Sequence, residues 1–254
     1  PATGNAPGNP AGLCGVRNAR EGWLRHRTGK PLNLLLGGAG LLGRALDARL
    51  RAAGEDTVVY DLVDGFDLRF KLPPQPGRPA YCWFLAWDVG GAKYLTAEQE
   101  QLGILRSNLR ICESVFAWIE SSRTPFTFVG TQMAGYANAY GITKQVGEYW
   151  AGLLPGGLVA RLWNCYGPEP VTRKSHLLPD LVHQGVTRGR IRLMTSGAEQ
   201  RQFLHADDCA DGLIQQRECG QPVADLTSGQ WVTVASVAAA VARELECPLT
   251  LGER

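Results

Sequence analysis

The feature that most constrains this chain is a short, wholly apolar run, Leu34–Leu36, that passes straight into Gly37-Gly38-Ala39-Gly40-Leu41-Leu42-Gly43. A run with no polar alternate residue suits a strand buried on both faces, as in a parallel sheet. The chain must then turn sharply, and the helical spacing of Leu41–Ala53 begins inside the glycine cluster. Further apolar or β-branched runs recur at Thr57–Tyr60, Trp83–Ala86, Thr127–Val129 and Leu158–Leu162. Helical stretches, Gln99–Ile119 and Ala139–Leu154, separate the later ones. Alternation of buried strands and helices predicts an α/β fold with a doubly wound parallel sheet. Ligands of such sheets lie in the crevice at the carboxyl ends of the strands.

The glycine turn is where a ligand is expected first. The strand must turn sharply, the backbone must approach a pyrophosphate and the helix must pack closely on the sheet, and the absent side chains of Gly37, Gly40 and Gly43 suit these demands. Leu41 and Leu42 open the helix, whose free N–H groups and partial positive charge suit phosphate. Alone, such a run is structural punctuation as often as a site; its place between strand and helix gives it weight. Asp61 ends the second strand, eighteen residues beyond Gly43. A carboxylate there accepts hydrogen bonds from the adenosine ribose and repels a 2′-phosphate, which selects NAD over NADP. Asp64 lies beyond the strand end and is expected to face solvent. The sheet is therefore read as Rossmann-type.

Composition excludes several other classes. The chain has 254 residues, enough for one large domain or a domain with a small annex. Lys+Arg number 26 against 24 Asp+Glu, so no charge imbalance points to nucleic acid or a membrane surface. No apolar run reaches the roughly eighteen residues of a membrane span. Seven scattered cysteines without a CxxC pair read as the reduced thiols of a cytoplasmic protein, with no metal site. Residues 1–30 are turn-rich, then basic, and read as an extension outside the core with one short helix near Arg20–His26.

A second constellation is Tyr140-Gly141-Ile142-Thr143-Lys144, a phenol and an ammonium one helical turn apart. A free phenol titrates near pH 10, and an adjacent cation stabilises its phenolate. Thr131, placed just after the fourth strand, is expected to hold the substrate oxygen whose proton Tyr140 takes. By itself this spacing is a commonplace surface pair; behind the glycine turn it reads as catalytic. His205, Asp207 and Asp208 have poor spacing for three metal ligands on one strand and read as a brace between lobes. Cys165 reads as a small core residue, and Trp87 as packing beside the cofactor loop.

These residues resemble the extended short-chain dehydrogenase/reductases, specifically the NAD-dependent nucleotide-sugar epimerase/dehydratase family. The likeness runs from Leu34 to Gly229 and includes GGAGLLG, YGITK, Arg161–Glu169 (RLWNCYGPE) and RQFLHADDCADGL. The resemblance implies that Leu85, Ala86 and Trp87 form the loop against the cofactor, that Asp67 and Leu68 contact adenine, and that Asn108 is structural. It implies that Asn164 contacts substrate and that Arg201 grips a substrate phosphate. It also implies a nucleotide-diphosphate sugar as partner and a homodimer built from the helices carrying Asn108 and Tyr140. The domains expected are a NAD-binding domain, 31–163 with 201–217 returning to it, and a substrate lobe of 164–200 and 218–254. That lobe reads as short, because family members commonly continue beyond the position of Arg254.

The reaction is narrowed by the residues after Thr131. Family 4,6-dehydratases carry Asp and Glu there; this chain has Gln132 and Met133, which transfer no proton at neutral pH. Gln132 is left to contact substrate. Val89-Gly90-Gly91 and Ser175-His176 resemble the fucose-synthase branch, whose 3,5-epimerisation uses a cysteine and a histidine. His176 matches the histidine, but Met133 stands in place of the cysteine, and a thioether abstracts no carbon-bound proton. What remains is redox at one carbinol through Thr131, Tyr140, Lys144 and NAD, as in a C4-type epimerase. A reductase, dehydrogenase or dehydratase of the same family, or a non-catalytic NAD-binding regulator, are the alternatives. Thr131 and Tyr140 stand only nine residues apart, so a loop that shapes the family's sugar pocket is expected to be nearly absent.

Overall fold

The computed structural model describes residues 29–70, 72 and 78–253. The extension and helix expected within residues 1–30 lie, except for Gly29 and Lys30, outside the described residues. In chain order the first half runs β1 (Leu32–Leu36), α1 (Leu41–Ala52), β2 (Asp56–Tyr60), β3 (Tyr81–Phe84), α2 (Ala92–Leu95), α3 (Glu98–Ser122), β4 (Phe126–Thr131), α4 (Ala139–Leu153) and β5 (Gly157–Leu162). The second half runs β6 (Asn164–Tyr166), α5 (Leu177–Arg188), β7 (Ile191–Arg192), β8 (Gln200–Arg201), β9 (Phe203–His205) and α6 (Ala206–Cys219). It ends with β10 (Val223–Leu226), β11 (Val232–Thr233), α7 (Val234–Glu244) and β12 (Leu249–Thr250).

Six strands form one sheet in the order β10-β5-β4-β3-β1-β2. Every pairing in it is parallel. The expected doubly wound fold is therefore the one found. After β1 the chain winds outward to β2, then returns to lay β3 on the other side of β1. That reversal opens a crevice between the carboxyl ends of β1 and β3, where such sheets bind ligands. The segment 218–254, read as part of the substrate lobe, instead supplies β10 as the sheet's edge strand. Its Val-Ala-Asp-Leu sequence is too short and too exposed to signal a buried strand.

Alternation along the strands divides the core in two. Leu34, Leu36, Cys82, Phe84, Phe126, Phe128 and Val159 face α3 and α4, meeting Ile111, Cys112, Val115, Phe116 and Ala151. Leu35, Tyr81, Trp83, Val129 and Ala160 face α1 and α6, meeting Leu42, Leu46, Leu50, Cys209, Ala210 and Leu213. A separate cluster of Leu181, Ile191, Leu193, Val234, Ala238 and Ala242 joins α5, β7 and α7 into the small lobe.

Beneath the sheet, at the amino ends of its strands, lies a buried polar network. Arg217 donates from both terminal nitrogens to Glu55, at 2.8 and 2.9 Å, and to Asn33 Oδ1 at 3.2 Å. Trp83 Nε1 donates to the same Asn33 oxygen at 3.0 Å, and Asn33 Nδ2 to Glu55 at 2.8 Å. Removing one partner of a buried ion pair strands the other charge, at about 3–5 kcal/mol. Arg217→Met is expected to lose about that much stability in urea unfolding while leaving dinucleotide affinity unchanged, since the network sits at the opposite end of the strands.

Candidate active site

The glycine turn is built by contact with its neighbour strand. Gly37 has φ +84°, and a Cβ there would lie 2.6 Å from the backbone of Ala86. A Cβ on Gly43 would lie 2.5 Å from Gly38 Cα. These two glycines serve close packing of the chain on itself. Gly40 differs: a Cβ there would meet only Gly37 O, at 3.4 Å. Its bare backbone is the N-cap of α1 and offers no side-chain hydrogen bond to the helix. The first N–H groups of α1, Leu41 and Leu42 among them, are therefore left to a ligand, and no side chain at Gly40 obstructs its approach.

Around this turn the candidate cofactor residues divide. Asp61 accepts from Ala39 N at 3.1 Å and from Val63 N at 3.2 Å, so it braces the turn. A carboxylate has about four acceptor sites, and two remain for ribose hydroxyls. Leu85 and Ala86 leave the strand line, because both amides donate to Leu36 O, at 2.9 and 2.7 Å. β3 therefore stops at Phe84 and not at Ala86 as expected. Trp87 covers Lys144, and its indole Nε1 is buried without a hydrogen-bond partner among the described residues. A buried donor without an acceptor beside an open helix end fits a crevice shaped for a polar ligand. Asp67 is instead engaged by Arg69, which holds its carboxyl below the usual range, and Leu68 buries its side chain in the core.

Thr131 is the last residue of β4, one step earlier than expected. The short connection to α4 folds tightly: Asn138 caps the helix at Gly141 N, 2.8 Å, and a Cβ on Gly141 would strike Met133 O at 2.7 Å. That turn brings Tyr140 back over the strand, where its hydroxyl lies close to that of Thr131. Burial pushes the Tyr140 phenol up to about 12, and the Glu148 charge adds to the rise. Asn108 ties the cofactor loop to this helix, accepting from Asp88 N at 2.7 Å and reaching Thr143 at 3.4 Å.

The expected acidification of the phenol by Lys144 is not the arrangement found. Lys144 is buried, donates to Val129 O at 2.5 Å, and lies 4.2 Å from the Trp87 ring centre and 4.8 Å from that of Phe128. Desolvation brings the ammonium down to about 7, against the opposing pull of Cys112 and Glu148. Spacing of four puts both residues on one helical face, but the long lysine stem reaches past the phenol to the strand carbonyl. Glu148 is the charge the phenol feels, and sequence reading missed it. It accepts from Thr131 N at 3.2 Å and from Arg161 Nε at 2.8 Å. Its signal was available, four residues beyond Lys144 on the same face.

The small lobe approaches along the Val89–Gly91 loop. A Cβ on Gly91 would lie 2.1 Å from Ser175 O, and Lys174 pairs with Asp88 at 2.5 Å. His176 caps α5, and its Nδ1 stands 2.9 Å from Glu169, a partner the sequence did not suggest. Gln132 continues the register, its amide donating to Leu162 O at 3.0 Å, and Asn164 Nδ2 donates to Gln202 O at 3.0 Å. Arg201 lies on β8 opposite Val232. His205 accepts from Asp207 N at 3.3 Å and so caps α6. The gathered group is thus Gly37, Gly40, Ala86, Trp87, Thr131, Tyr140 and Lys144, at the ends of β1, β3 and β4.

Two measurements check this geometry. Gly40→Ala is expected to leave stability within about 0.5 kcal/mol while weakening dinucleotide binding at least about tenfold, since a methyl there meets ligand and not protein. In the ligand-free protein, Lys144 has a lower pKa folded than unfolded, so the unfolded state binds more protons above pH 7. Stability relative to Lys144→Met should therefore rise from pH 7 to 9, by up to about 1.4 kcal/mol per pH unit. Melting curves of both proteins across that range give the answer.

Among the described residues no helix is long and apolar enough to cross a membrane. A search of curated protein sequences finds no match. The fold is similar to a GDP-L-fucose synthetase from Naegleria fowleri bound to NADP, at 18% identity and TM-score 0.75, over 93% of this chain and 84% of that one. It is similar to a UDP-glucose 4-epimerase from Thermotoga maritima with UDP-glucose, at 17% identity and TM-score 0.73, over 88% and 86%. It is also similar to a dTDP-4-dehydrorhamnose reductase from Clostridium acetobutylicum, at 16% identity and TM-score 0.73, over 87% and 86%. Identities this low show the shared fold. The sequence pattern of one family matches residues 93–220, half of the chain, and covers α3, Thr131, Tyr140, Lys144 and α6. With the glycine turn before it and the crevice it completes, the chain belongs to the NAD dependent epimerase/dehydratase family.

Proposed function

We propose that this protein is a nucleotide-sugar epimerase that works by transient oxidation of one carbinol, of the C4 type. The observation that carries the reading is the closeness of the Tyr140 and Thr131 hydroxyls at the carboxyl end of β4, beside the glycine turn. NAD, when bound, supplies the acceptor and donor of a hydride. The glycine turn and the open end of α1 hold its pyrophosphate, and Asp61 its adenosine ribose. Thr131 orients the carbinol oxygen, and Tyr140 takes its proton and later returns it. The carbinol loses a proton from oxygen and a hydride from carbon, then regains both, the hydride on its other face. No net redox partner is needed.

The phenol's pKa near 12 sets a condition on this chemistry. Proton return by Tyr140 is ready at neutral pH, whereas proton removal requires a cation close to the phenol. Lys144 is the residue of this chain that reaches that place when its stem swings off Val129 O. Residues 31–163 with 201–217 and the edge strand make the dinucleotide half, and the remainder of 164–254 makes the substrate half, with Gln132, Asn164, His176 and Arg201 toward the substrate.

A reductase is the second reading, favoured by the His176–Glu169 pair and the seating of Gly91 on Ser175. Incubation with candidate nucleotide sugars and NAD separates the readings by mass spectrometry and NMR. An epimerase yields an isomer of unchanged mass, a reductase a product two mass units heavier with reduced cofactor supplied, and a regulator no product. Tyr140→Phe should lower turnover about 10²–10⁴-fold without weakening NAD binding.

We infer a homodimer through α3 and α4. Ile142, Val146, Tyr149 and Leu153 make an exposed apolar stripe along α4, with Leu102 and Leu109 exposed on α3. Burying such a stripe against its symmetry mate is the common solution for two long helices. The double substitution Tyr149→Arg, Leu153→Glu is expected to shift the sedimentation coefficient from dimer to monomer.

A further inference from the structure

Glu148 carries a charge into the interior beside Thr131 and Tyr140, although the reaction proposed above gives it no step. It lies on α4, on the face that carries Tyr140 and Lys144, and its side chain is 8% exposed. One carboxylate oxygen accepts from Thr131 N at 3.2 Å and the other from Arg161 Nε at 2.8 Å. β4 makes room for it, because Gly130, the residue before Thr131, lies too close to this carboxylate to carry a Cβ. Arg161 stands on β5 in register with Gly130, and its side chain is 40% exposed.

An ion pair in the interior is a weak source of stability, since desolvating both charges cancels much of their attraction. This one is also lopsided, with the carboxylate inside and the guanidinium reaching water. Tyr140 and Lys144 face the carboxylate from its own helix, and its negative charge raises the proton affinity of both. Cys112 acts on Lys144 from α3. Asp225, on β10, is in register with Arg161 and accepts from Trp163 Nε1 at 3.1 Å. A charge placed between the amide of Thr131 and the two titrating groups of α4 acts on position and protonation together.

We propose that Glu148 and Arg161 are positioning residues of this reaction: Glu148 holds Thr131 by its amide and favours a proton on Tyr140 and on Lys144, and Arg161 sets how strongly it does so. This role rests on the reading of Thr131, Tyr140 and Lys144 given under the proposed function and adds the pair that governs them. Its mark is a reversal of sign. Removing the carboxylate lowers both proton affinities, whereas removing the guanidinium leaves the carboxylate uncompensated and raises them. Damage to packing has no such pairing of signs.

NMR titration of the ligand-free protein with isotope-labelled lysine tests this, with Lys144→Met identifying the resonance. In the wild type Lys144 is held down to about 7. Glu148→Gln, which keeps the size and an acceptor for Thr131 N, is expected to move the midpoint to lower pH. Arg161→Gln should move it to higher pH, and Arg161→Lys, which restores the charge, should return it toward the wild-type value. Shifts of the same sign in Glu148→Gln and Arg161→Gln, or of less than about 0.3 pH unit in both, refute the role. The titration needs no substrate, so opposite shifts with no nucleotide sugar turned over would sink the epimerase reading and leave the pair's hold on Lys144 in place. Where a nucleotide sugar is turned over, the pH profile of turnover should move in the same two directions. Profiles that superimpose on that of the wild type refute a role in the reaction.

Discussion

The crevice depends on one contact, the backbone of Gly37 pressed against that of Ala86. The two strands that diverge there, β1 and β3, are adjacent in the sheet, and their carboxyl ends approach too closely for any Cβ at position 37. Positive φ at the same residue directs the chain away into α1. Were the turn wider, Asp61 would not reach Ala39 N, and α1 would not start with its first N–H groups over the strand ends. The cofactor half of the site is therefore a property of the sheet, fixed before any ligand arrives.

The half around Thr131 and Tyr140 is fixed by a different means. The connection between Thr131 and α4 is so short that Gly141 must lie against the carbonyls of Met133 and Tyr136. Glu148 then holds Thr131 by its amide while Arg161 holds Glu148. Gly130 belongs to the same arrangement, since a Cβ there would lie 2.3 Å from the Glu148 carboxylate. The hydroxyls of Thr131 and Tyr140 are thus positioned by the helix and strand that carry them, across a connection as short as their nine-residue spacing implied.

Much of this was legible in the residues. The winding followed from buried apolar runs and their spacing, and the glycine turn announced its own role through its place in the chain. The edge strand β10 was not legible, because two of its four residues are exposed and it lacks the apolar run of its neighbours. Glu169 and Arg161 escaped notice because their partners are distant or on another element, and pairwise geometry has no periodicity to read. Lys144 shows the sharper limit. Spacing placed it on the face of Tyr140 correctly, yet where a flexible amine rests depends on the competing carbonyl of Val129 and on the rings of Trp87 and Phe128, which only the folded chain brings together.

That resting place has a thermodynamic consequence. An amine held near 7 by dehydration is half-charged in neutral buffer, whereas the same amine in contact with water or an anion is fully charged. Any occupant of the crevice that draws Lys144 from beneath Trp87 therefore takes up a fraction of a proton from the medium. The heat of ligand association would then vary with the ionisation enthalpy of the buffer, and its affinity with pH, although the ligand itself titrates nowhere near neutrality.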